Sequence, residues 1–342
     1  MLNATKTSTD LQDAKRIVLE AQLALDTAPP TLLREALSRH VADDYFWRGM
    51  HPFNEQHGAE AVATAFWQPM HHALTGFQRR MSVFFAGTAV TGPKAETWVA
   101  QMGHFMGLFD QPFLHIRPTR KLVLLRYAEF HRIEDGRIAE SALFIDIPEL
   151  MLQAGLQPFP TPTGVHISQP GPAPQTGLMF DAQVPEEGAE TLDLIEAMMS
   201  DLGNWDLGLP LTEELARTWD PQMLWWGPVG IGATYTIPRY AEQHAGPFRA
   251  SFADRDFKGH RARLAEGMYG GFFGWPNFTA RPTGGFMGMP ATDKSGPFRV
   301  VDIYRRDRDR LVENWIFIDL LHFWSEQGVD ILGRTTGISE SA

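Results

Sequence analysis

The 342-residue sequence predicts an α+β fold that occurs twice in tandem. In each half, helical patterns come first and alternating strand patterns follow, which is typical of α+β domains. The halves match each other in the same order along most of their length, which indicates an internal duplication. A proline-rich segment lies between them. We therefore expect two domains, each a curved antiparallel sheet covered by about three helices.

Both halves begin with helical segments. In the first half, apolar residues at helical spacing run from Leu11 to Leu25, and in the second they run from Leu192 to Met199. A short helix, an aromatic strand and a third helix follow in each half. These segments are TLLREALSRH at 31–40, DYFW at 44–47 and GAEAVATAFWQPM at 58–70, then LTEELARTW at 211–219, QMLWW at 222–226 and TIPRYAEQHA at 236–245.

The remainder of each half alternates between apolar and polar residues, as strands do. The last two strands of the first half are joined by Glu-Asp-Gly at 134–136, and those of the second half by Asp-Arg-Asp at 307–309. Each junction predicts a hairpin. The strands of the first half are RMSVFFAGTAV at 80–90, TWVAQMGHFMG at 97–107, KLVLLRYAEFHRI at 121–133 and GRIAESALFIDI at 136–147.

The duplication is clearest near the end of each half. Residues 117–155 match residues 290–328 without a gap, and both segments contain Phe-Ile-Asp, at 144–146 and 317–319. In each copy a glutamate lies six residues before the aspartate. Two weaker matches lie upstream, GHFMG at 103–107 with GGFMG at 284–288, and FQRRMSVFFAG at 77–87 with FKGHRARLAEG at 257–267.

Residues 157–177 form the proline-rich segment. They contain six prolines and show neither a helical nor an alternating pattern. Because proline removes amide donors and forbids a regular helix, we expect an extended linker exposed on the surface. The predicted boundaries are 8–157 for the first domain, 158–185 for the linker and 186–334 for the second domain.

Composition argues against several classes of function. The net charge is −11, so we expect no broad basic face for nucleic acid or an anionic membrane. The chain has no cysteine, which excludes disulfides and thiolate metal sites, and no HExxH or similar metal-binding spacing occurs. It has no apolar run of signal-peptide or membrane-spanning type. We therefore expect a cytoplasmic protein with no metal site.

Two stretches of the second half resemble a known family. GGFMGMPATDK at 284–294 and VVDIYRRDRDRLVENWIFID at 300–319 resemble the G-x-F-x-G stretch and the final hairpin of the SnoaL-like (ester-cyclase or polyketide-cyclase-like) branch of the NTF2-like superfamily. Family members commonly have a histidine two residues before the first glycine, where this chain has Gln101 and Pro282. The resemblance implies two tandem NTF2-like cones of the cystatin-like fold. The hairpin positions are Asp302, Glu313, Trp315 and Asp319 in the second half, and Glu129, Glu140, Ala142 and Asp146 in the first.

Asp319 is the leading catalytic candidate. Glu313, Trp315, Phe317 and Asp319 alternate along one strand and therefore share a face. We assign this face to the cup, meaning the concave face of the sheet that the helices cover. Burial among aromatic residues raises the pKa of a carboxyl group and suits it to proton transfer. The alternative is that the aspartate caps the following segment or binds an arginine.

Asp146 and His104 are the catalytic candidates of the first half. Asp146 occupies the position of Asp319 but lacks the tryptophan neighbour, which favours a structural role. His104 lies between Met102 and Met106 on one strand face, where it could act as a base facing Asp146. The alternative is a core histidine whose hydrogen bonds are satisfied.

Further residues are candidates for substrate binding. Glu129 and Asp302 lie in the penultimate strands, and they either face the cup or pair with Arg132 and Arg305. Aromatic residues with a few polar groups suit a pocket for a small hydrophobic molecule. The full set is Trp226, Trp315, Tyr269, Glu313, Asp302, Glu129 and Arg281.

The resemblance implies an enzyme that acts on small molecules. We expect acid–base chemistry without metal or cofactor, namely cyclisation, isomerisation or hydrolysis, on a largely apolar carbonyl compound. The absent family histidines favour an alternative, a non-catalytic protein that binds a small hydrophobic ligand. In a third interpretation, one active domain is paired with one degenerate domain.

The opposite face of the last strands predicts how the domains assemble. Leu143, Ile145, Ile316 and Ile318 are apolar on the side away from the aspartates, so this face also needs covering. We expect the two domains to pack sheet to sheet within one chain, as a pseudo-twofold dimer. A homodimer of whole chains is a further option.

Overall fold

The computed structural model describes residues 10–203 and 208–340, and it contains one sheet in each half. The predicted α+β class is confirmed. The first sheet, in the order β2-β1-β6-β5-β4-β3, consists of β1 Val41–Gly49, β2 Asn54–His57, β3 Leu74–Ala89, β4 Glu96–Phe109, β5 Leu122–Glu134 and β6 Arg137–Ile145. The second, in the order β10-β11-β12-β13-β7-β8 with β9 paired to β11, consists of β7 Trp219–Trp226, β8 Ala233–Tyr235, β9 Phe252–Phe257, β10 Ala262–Glu266, β11 Tyr269–Pro282, β12 Gly296–Asp307 and β13 Arg310–Ile318.

Helices cover one face of each sheet. The first begins where the side chain of Asp10 accepts a hydrogen bond from the amide of Gln12 at 2.7 Å. None of the helices in the described ranges is long and apolar enough to span a membrane. The first half has α1 Leu11–Thr27, a 3-10 turn Pro30–Leu32, α2 Leu33–Ser38, α3 Gly58–Val62, a π-helical turn Ala63–Trp67, α4 Gln68–Ala73 and α5 Ile147–Gln153. The second has α6 Pro185–Gly203, α7 Leu211–Leu215, α8 Ile237–Tyr240, a π-helical turn Ala241–Ala245, α9 Gly246–Ser251, a 3-10 turn Phe286–Gly288, α10 Leu320–Glu326 and α11 Ile331–Glu340.

Both sheets are mixed, whereas the sequence predicted antiparallel ones. β1 runs parallel to β6, and β7 runs parallel to β13, while the other pairs of neighbouring strands are antiparallel. Alternation reveals a strand but not its direction. In each half the first strand lies beside the last one, to which no hairpin connects it. Its direction therefore follows from the path of the chain through the intervening elements.

The strand register shows which residues of the two halves correspond. Glu129 pairs with Gln101 between β5 and β4, and Asp302 pairs with Phe272 between β12 and β11. GHFMG lies inside β4, whereas GGFMG follows the end of β11. The predicted match of these two motifs is therefore wrong. Glycine permits a close backbone contact in the strand and positive φ angles in the turn, so the same letters recur for different reasons.

The faces of the last strands are the reverse of the prediction. Leu143, Ile145 and Ile318 lie in the core between the sheets and their helices. Phe144 and Phe317, which alternate with them, lie in a second core between the two sheets. Strand alternation shows which residues share a face, but both faces here are apolar, so it does not show which one the helices cover.

The second core joins the two halves of the chain. Phe273 of β11 contacts Phe130, Trp98 and Phe144 of the first half, with ring centroids 5.1, 5.5 and 6.4 Å apart. All four side chains are fully buried. The sheet faces that lack helices thus cover each other, and the burial of aromatic rings stabilises their contact.

The linker is extended, but it is held against the protein at several points. Residues 157–177 form no helix or strand, and most of their side chains are exposed. Val165 pairs with Ala233 in an isolated β-bridge. Nε1 of Trp315 donates a hydrogen bond to the carbonyl oxygen of Pro170 at 3.0 Å. The amide of Phe84, in the first half, donates a hydrogen bond to the carbonyl oxygen of Gly177 at 2.8 Å, so the linker is packed along both halves.

Candidate functional site

Asp319 follows β13 directly and begins α10, where it is fully buried. Its carboxylate accepts a hydrogen bond from the amide of His322, in the first turn of α10, at 3.2 Å, and from the amide of His51, in the first half, at 2.9 Å. The guanidinium of Arg299 lies 3.4 Å away. Asp319 thus caps a helix and joins the two halves. Its predicted place in the cup is wrong, because its strand face turns towards the other sheet.

Asp146 makes the corresponding contacts from the first half to the second. It accepts a hydrogen bond from the amide of Val229, in the second half, at 3.1 Å, and Nε of Arg126 lies 4.0 Å away. Val229 and His51 each lie four residues after the tryptophan that the two halves share, so the two sets of contacts correspond. We call these sets the aspartate clamps. They consist of Asp146 with Val229 and Arg126, and of Asp319 with His51 and Arg299.

His104 lies on β4 directly opposite Arg126 of β5. Burial and the charge of Arg126 lower the pKa of His104 to about 4, so its ring is neutral at neutral pH. The described contacts pair Asp146 with Arg126 rather than with this histidine. Burial raises the pKa of Asp146, although the charge of Arg126 and the amide of Val229 act to lower it.

The first cup contains a buried ion network around Glu129. Its carboxylate contacts the guanidinium of Arg79 and accepts a hydrogen bond from Nε2 of Gln101 at 2.6 Å. Arg79 also pairs with Asp26 at 3.0 Å. Burial acts to raise the pKa of Glu129, but the charge of Arg79 and the other contacts outweigh it and hold this pKa below its ordinary value. Glu129 therefore stays ionised, and its arginine partner is Arg79 rather than Arg132.

The guanidinium of Arg79 packs among aromatic rings of the first cup. It lies 5.0, 5.2 and 5.4 Å from the ring centroids of Phe105, Trp67 and Tyr127. The Arg79 side chain is 3% exposed. Cation–π contacts stabilise a desolvated guanidinium. Together with the ion pairs, they fix a permanent positive charge inside the first cup.

The second cup contains Asp302 at the position of the first cup's glutamate. Its carboxylate accepts a hydrogen bond from Nδ2 of Asn314 at 3.0 Å, and Tyr304 is hydrogen-bonded to it as well. Within the described part of the chain Asp302 has no salt bridge, since Arg305 pairs with Glu313 at 2.5 Å instead. Burial raises the pKa of Asp302 to about 7, although the two hydrogen bonds act to lower it. This carboxyl group therefore titrates near neutral pH.

Aromatic rings form the walls of the second cup. The ring of Tyr304 lies 5.9 Å from those of both Phe272 and Trp219, and Tyr240 lies 6.3 Å beyond Trp219. His260 stacks on Phe272 at 4.0 Å, and burial lowers the pKa of this histidine to about 3. Burial also raises the pKa of Tyr304 and of Tyr240, so both hydroxyls keep their protons. Of these residues of the second cup, Asp302 is therefore the one whose charge changes near neutral pH.

Sequence reasoning missed several residues of the cups, among them Asn314 and Arg79. Asn314 of β13 pairs with Tyr304 of β12, which lies two residues after Asp302 and therefore on the same face of the sheet. Asn314 could have been found once the correct face of β13 was assigned. Arg79 lies between two irregularities in the pairing of β3 with β4, so alternation does not predict its direction. The register also relates the cups residue by residue, placing Glu129, His131 and Ser141 on Asp302, Tyr304 and Asn314.

The remaining predicted binding residues lie outside the cups. Trp315 and Tyr269 belong to the core between the sheets. Arg281 forms a partly exposed ion pair at 2.6 Å. Trp226 and Glu313 line a separate cavity. Among the described residues, no group of three or more histidines, aspartates or glutamates is placed to hold a metal ion.

Comparison with known proteins bears on the second half of the chain. Residues 276–325 match the family model of SnoaL-like polyketide cyclases, which confirms the resemblance over β12, β13 and the second cup's aspartate. No curated protein matches the chain.

Similar solved structures include a SnoaL-like protein from Jannaschia sp. CCS1, with 18% identity, a TM-score of 0.32 and coverage of 43% of this chain and 95% of that one. An NTF2-like protein from Burkholderia thailandensis E264 has 18% identity, a TM-score of 0.31 and coverage of 44% and 100%. IdmH from Streptomyces antibioticus, a candidate polyketide cyclase, has 17% identity, a TM-score of 0.31 and coverage of 42% and 99%.

Proposed function

We propose that this protein is an enzyme whose second half performs acid–base chemistry on a small, largely apolar carbonyl compound. Asp302 is the proton-transfer group. The observation that carries this proposal is its burial in the second cup without a cationic partner in the described chain, with a pKa of about 7. A carboxyl group with such a pKa is present in both protonation states at neutral pH, which suits general acid–base catalysis. The match of residues 276–325 to polyketide cyclases supports the same class of chemistry.

The neighbours of Asp302 suit this role. As a carboxylate it can remove a proton from the carbon beside a carbonyl group, and as an acid it can return that proton or protonate an oxygen. Tyr304 and Asn314 hydrogen-bond to the carboxyl group and hold its orientation. Phe272 and Trp219 supply apolar walls, which favour a substrate with an apolar body. Proton transfers of this kind serve cyclisation, isomerisation and hydrolysis alike.

In this proposal the first half is a structural partner. Glu129 stays ionised beside Arg79 and so does not exchange protons near neutral pH. This favours the interpretation in which one active domain is paired with a degenerate one. We further propose that the halves form an intramolecular pseudo-dimer, supported by the core between the sheets and by the aspartate clamps.

Exchange of α-protons tests the proposal. The protein is incubated in heavy water with propiophenone, an apolar aromatic ketone, and loss of the α-proton signal is followed by NMR. We expect the wild-type chain to accelerate exchange and Asp302→Asn to lose about a hundredfold or more of that rate, the usual contribution of one acid–base group. The wild-type rate should rise through a pH of about 7, as the pKa of Asp302 implies. Metabolites extracted from the purified protein and identified by mass spectrometry supply further substrates for the same assay.

Glu129→Gln is the matched control, because it removes the corresponding carboxyl group from the first cup. It should keep the exchange rate per folded molecule. If Asp302→Asn exchanges as fast as the wild type, or if Glu129→Gln alone loses the activity, the assignment to the second cup is wrong. Saturable binding of ketones with no accelerated exchange would favour the non-catalytic alternative.

A further inference from the structure

A cavity of about 580 Å³ lies outside both cups, between the linker and the two sheets. Ser82 of the first half, Trp226 and Glu313 of the second half, and linker residues within 170–178 line it. This volume is in the range of small-molecule sites. The cavity combines a carboxylate and an indole ring with apolar side chains.

The corresponding place in the first half is filled by arginines. Glu140, the counterpart of Glu313, contacts the guanidinium of Arg48 and accepts a hydrogen bond from Nη2 of Arg261 at 2.7 Å. Nε of Arg132 lies 3.4 Å from the same carboxylate. Three guanidinium groups therefore surround Glu140.

At Glu313, Trp226 stands where Arg48 stands in the first half. The β1–β6 ladder pairs Arg48 with Ala142, and the β7–β13 ladder pairs Trp226 with Trp315. Since the two ladders have the same register, the indole ring occupies the position of a guanidinium side chain.

Ser82 likewise stands where Arg261 stands. Ser82 directly precedes Val83, which pairs with Met102, and Arg261 directly precedes Ala262, which pairs with Phe273. Met102 and Phe273 occupy equivalent positions in the two sheets. A long cationic side chain is thus replaced by a short hydroxyl. The two replacements remove two guanidinium groups from the carboxylate, and the cavity lies where they would have been.

We propose that this cavity binds a small organic cation, consisting of a guanidinium, amidinium or ammonium group on an apolar body. The cationic group lies between Glu313 and the ring face of Trp226, as guanidinium groups lie around Glu140. Carboxylates are strong acceptors for such cations, and tryptophan is their best aromatic partner. The apolar body packs against Met81 and Leu224, which also line the cavity.

Glu313 has acceptor capacity for such a partner. Its Oε2 accepts a hydrogen bond from Arg305 at 2.5 Å, whereas its Oε1 accepts a longer one from the amide of Ala173 at 3.2 Å. The residue is 2% exposed, so a charge pair formed there is only weakly screened. The net charge of −11 also attracts cations to the protein. Glu313 and Asn314 are adjacent on β13 and point to opposite faces, so this site is separate from the second cup and independent of the proposed function.

Calorimetric titration with benzamidine tests the proposal, with benzamide as a neutral control of nearly the same shape. We expect benzamidine to bind saturably and benzamide to bind about tenfold more weakly or worse, since a charge-assisted hydrogen bond is lost. Glu313→Gln should weaken benzamidine to a similar extent. Ser82→Arg supplies the side chain that Arg261 supplies in the first half, and it should abolish binding.

Glu213→Gln is the control for net charge, because it removes an exposed carboxylate on α7. It should leave the affinity for benzamidine unchanged. Ser82 is partly exposed, so the arginine variant should fold, and thermal unfolding checks this. If benzamidine does not bind saturably, or if it binds Glu313→Gln and Ser82→Arg as tightly as the wild type, the cavity is not a cation site.

Discussion

Replacing Asp319 by alanine tests whether the aspartate clamps hold the two halves together. The change removes the acceptor of two buried amides, those of His51 in the first half and His322 at the start of α10. It also leaves Arg299 without its carboxylate, although this guanidinium keeps a hydrogen bond to Oδ1 of Asn54 at 2.8 Å. One substitution therefore weakens a helix cap, an ion pair and a contact between the halves.

The magnitude follows from these contacts. Loss of the N-cap costs about 0.5–2 kcal/mol, and an unsatisfied buried amide costs about 1–3 kcal/mol. Because Arg299 retains a partner, we do not add the full cost of an unpaired buried charge. We expect Asp319→Ala to lower the free energy of unfolding by about 3 kcal/mol. Asp146→Ala leaves one interdomain amide, that of Val229, without its acceptor, and it removes a carboxylate that lies 4.0 Å from Arg126. Because fewer and longer contacts are lost, the effect on stability should be smaller than that of Asp319→Ala.

Urea unfolding at neutral pH, followed by tryptophan fluorescence, measures both effects. Asp319→Asn is the matched variant, because an amide oxygen still accepts one of the two hydrogen bonds. It should lie between the wild type and Asp319→Ala. A loss below about 1 kcal/mol for Asp319→Ala would be no more than an ordinary surface substitution, and it would refute the clamp. A larger loss for Asp146→Ala than for Asp319→Ala would refute the comparison of their contacts.

Two further predictions concern pH and the linker. Burial raises the pKa of Asp302 from 3.8 to about 7, so the folded state holds this proton more tightly than the unfolded state does. The stability from this group is complete below the unfolded pKa and is lost as pH rises through about 7, by about 4 kcal/mol at most. Urea midpoints measured across that pH window should fall more in the wild type than in Asp302→Asn, in which Glu149, whose pKa burial also raises to about 7, still titrates. Equal falls in the two proteins would contradict this. Limited proteolysis should cut the exposed linker residues 173–176 and leave a nicked pair, because the core between the sheets does not include them. Separation of the halves on gel filtration would contradict the second prediction.

The hairpins illustrate what local sequence determines. Glu-Asp-Gly at 134–136 predicted the turn between β5 and β6, and the structure confirms it. Asp135 and Gly136 have positive φ angles of 50° and 74°, which a tight hairpin turn favours and which glycine adopts without strain. Short-range chemistry is sufficient here, because the turn residues and the flanking alternation lie next to each other in the chain.

Which face of a strand packs against the helices is not determined by local sequence in this way. Glu313, Trp315 and Phe317 do share a face, as alternation predicted, but this face meets the other sheet rather than the helices. Both faces of β13 carry large apolar residues, so burial alone does not distinguish them. The choice depends on which element packs against each face, and that is decided by distant parts of the chain. The wrong choice placed Asp319 in the cup, whereas it lies at the contact between the halves. For Asp302 the sequence left two options open, and the structure places it in the cup.

The two halves carry the same residue types in the clamps but different charges in the cups. In a dimer of identical chains, a change in one cup would appear in both, whereas a tandem chain can change one cup alone. The clamp positions carry an aspartate and an arginine in both halves, because each clamp serves the same contact from opposite sides. The cup positions carry Glu129 and Asp302, and the buried Arg79 neutralises Glu129 while Asp302 has no such partner in the described chain. A permanent cation inside a cup removes the titration that proton transfer needs, but it does not disturb the sheet face that holds the halves together. The asymmetry of charge, rather than of fold, is therefore what supports our proposal that the second half is the catalytic one.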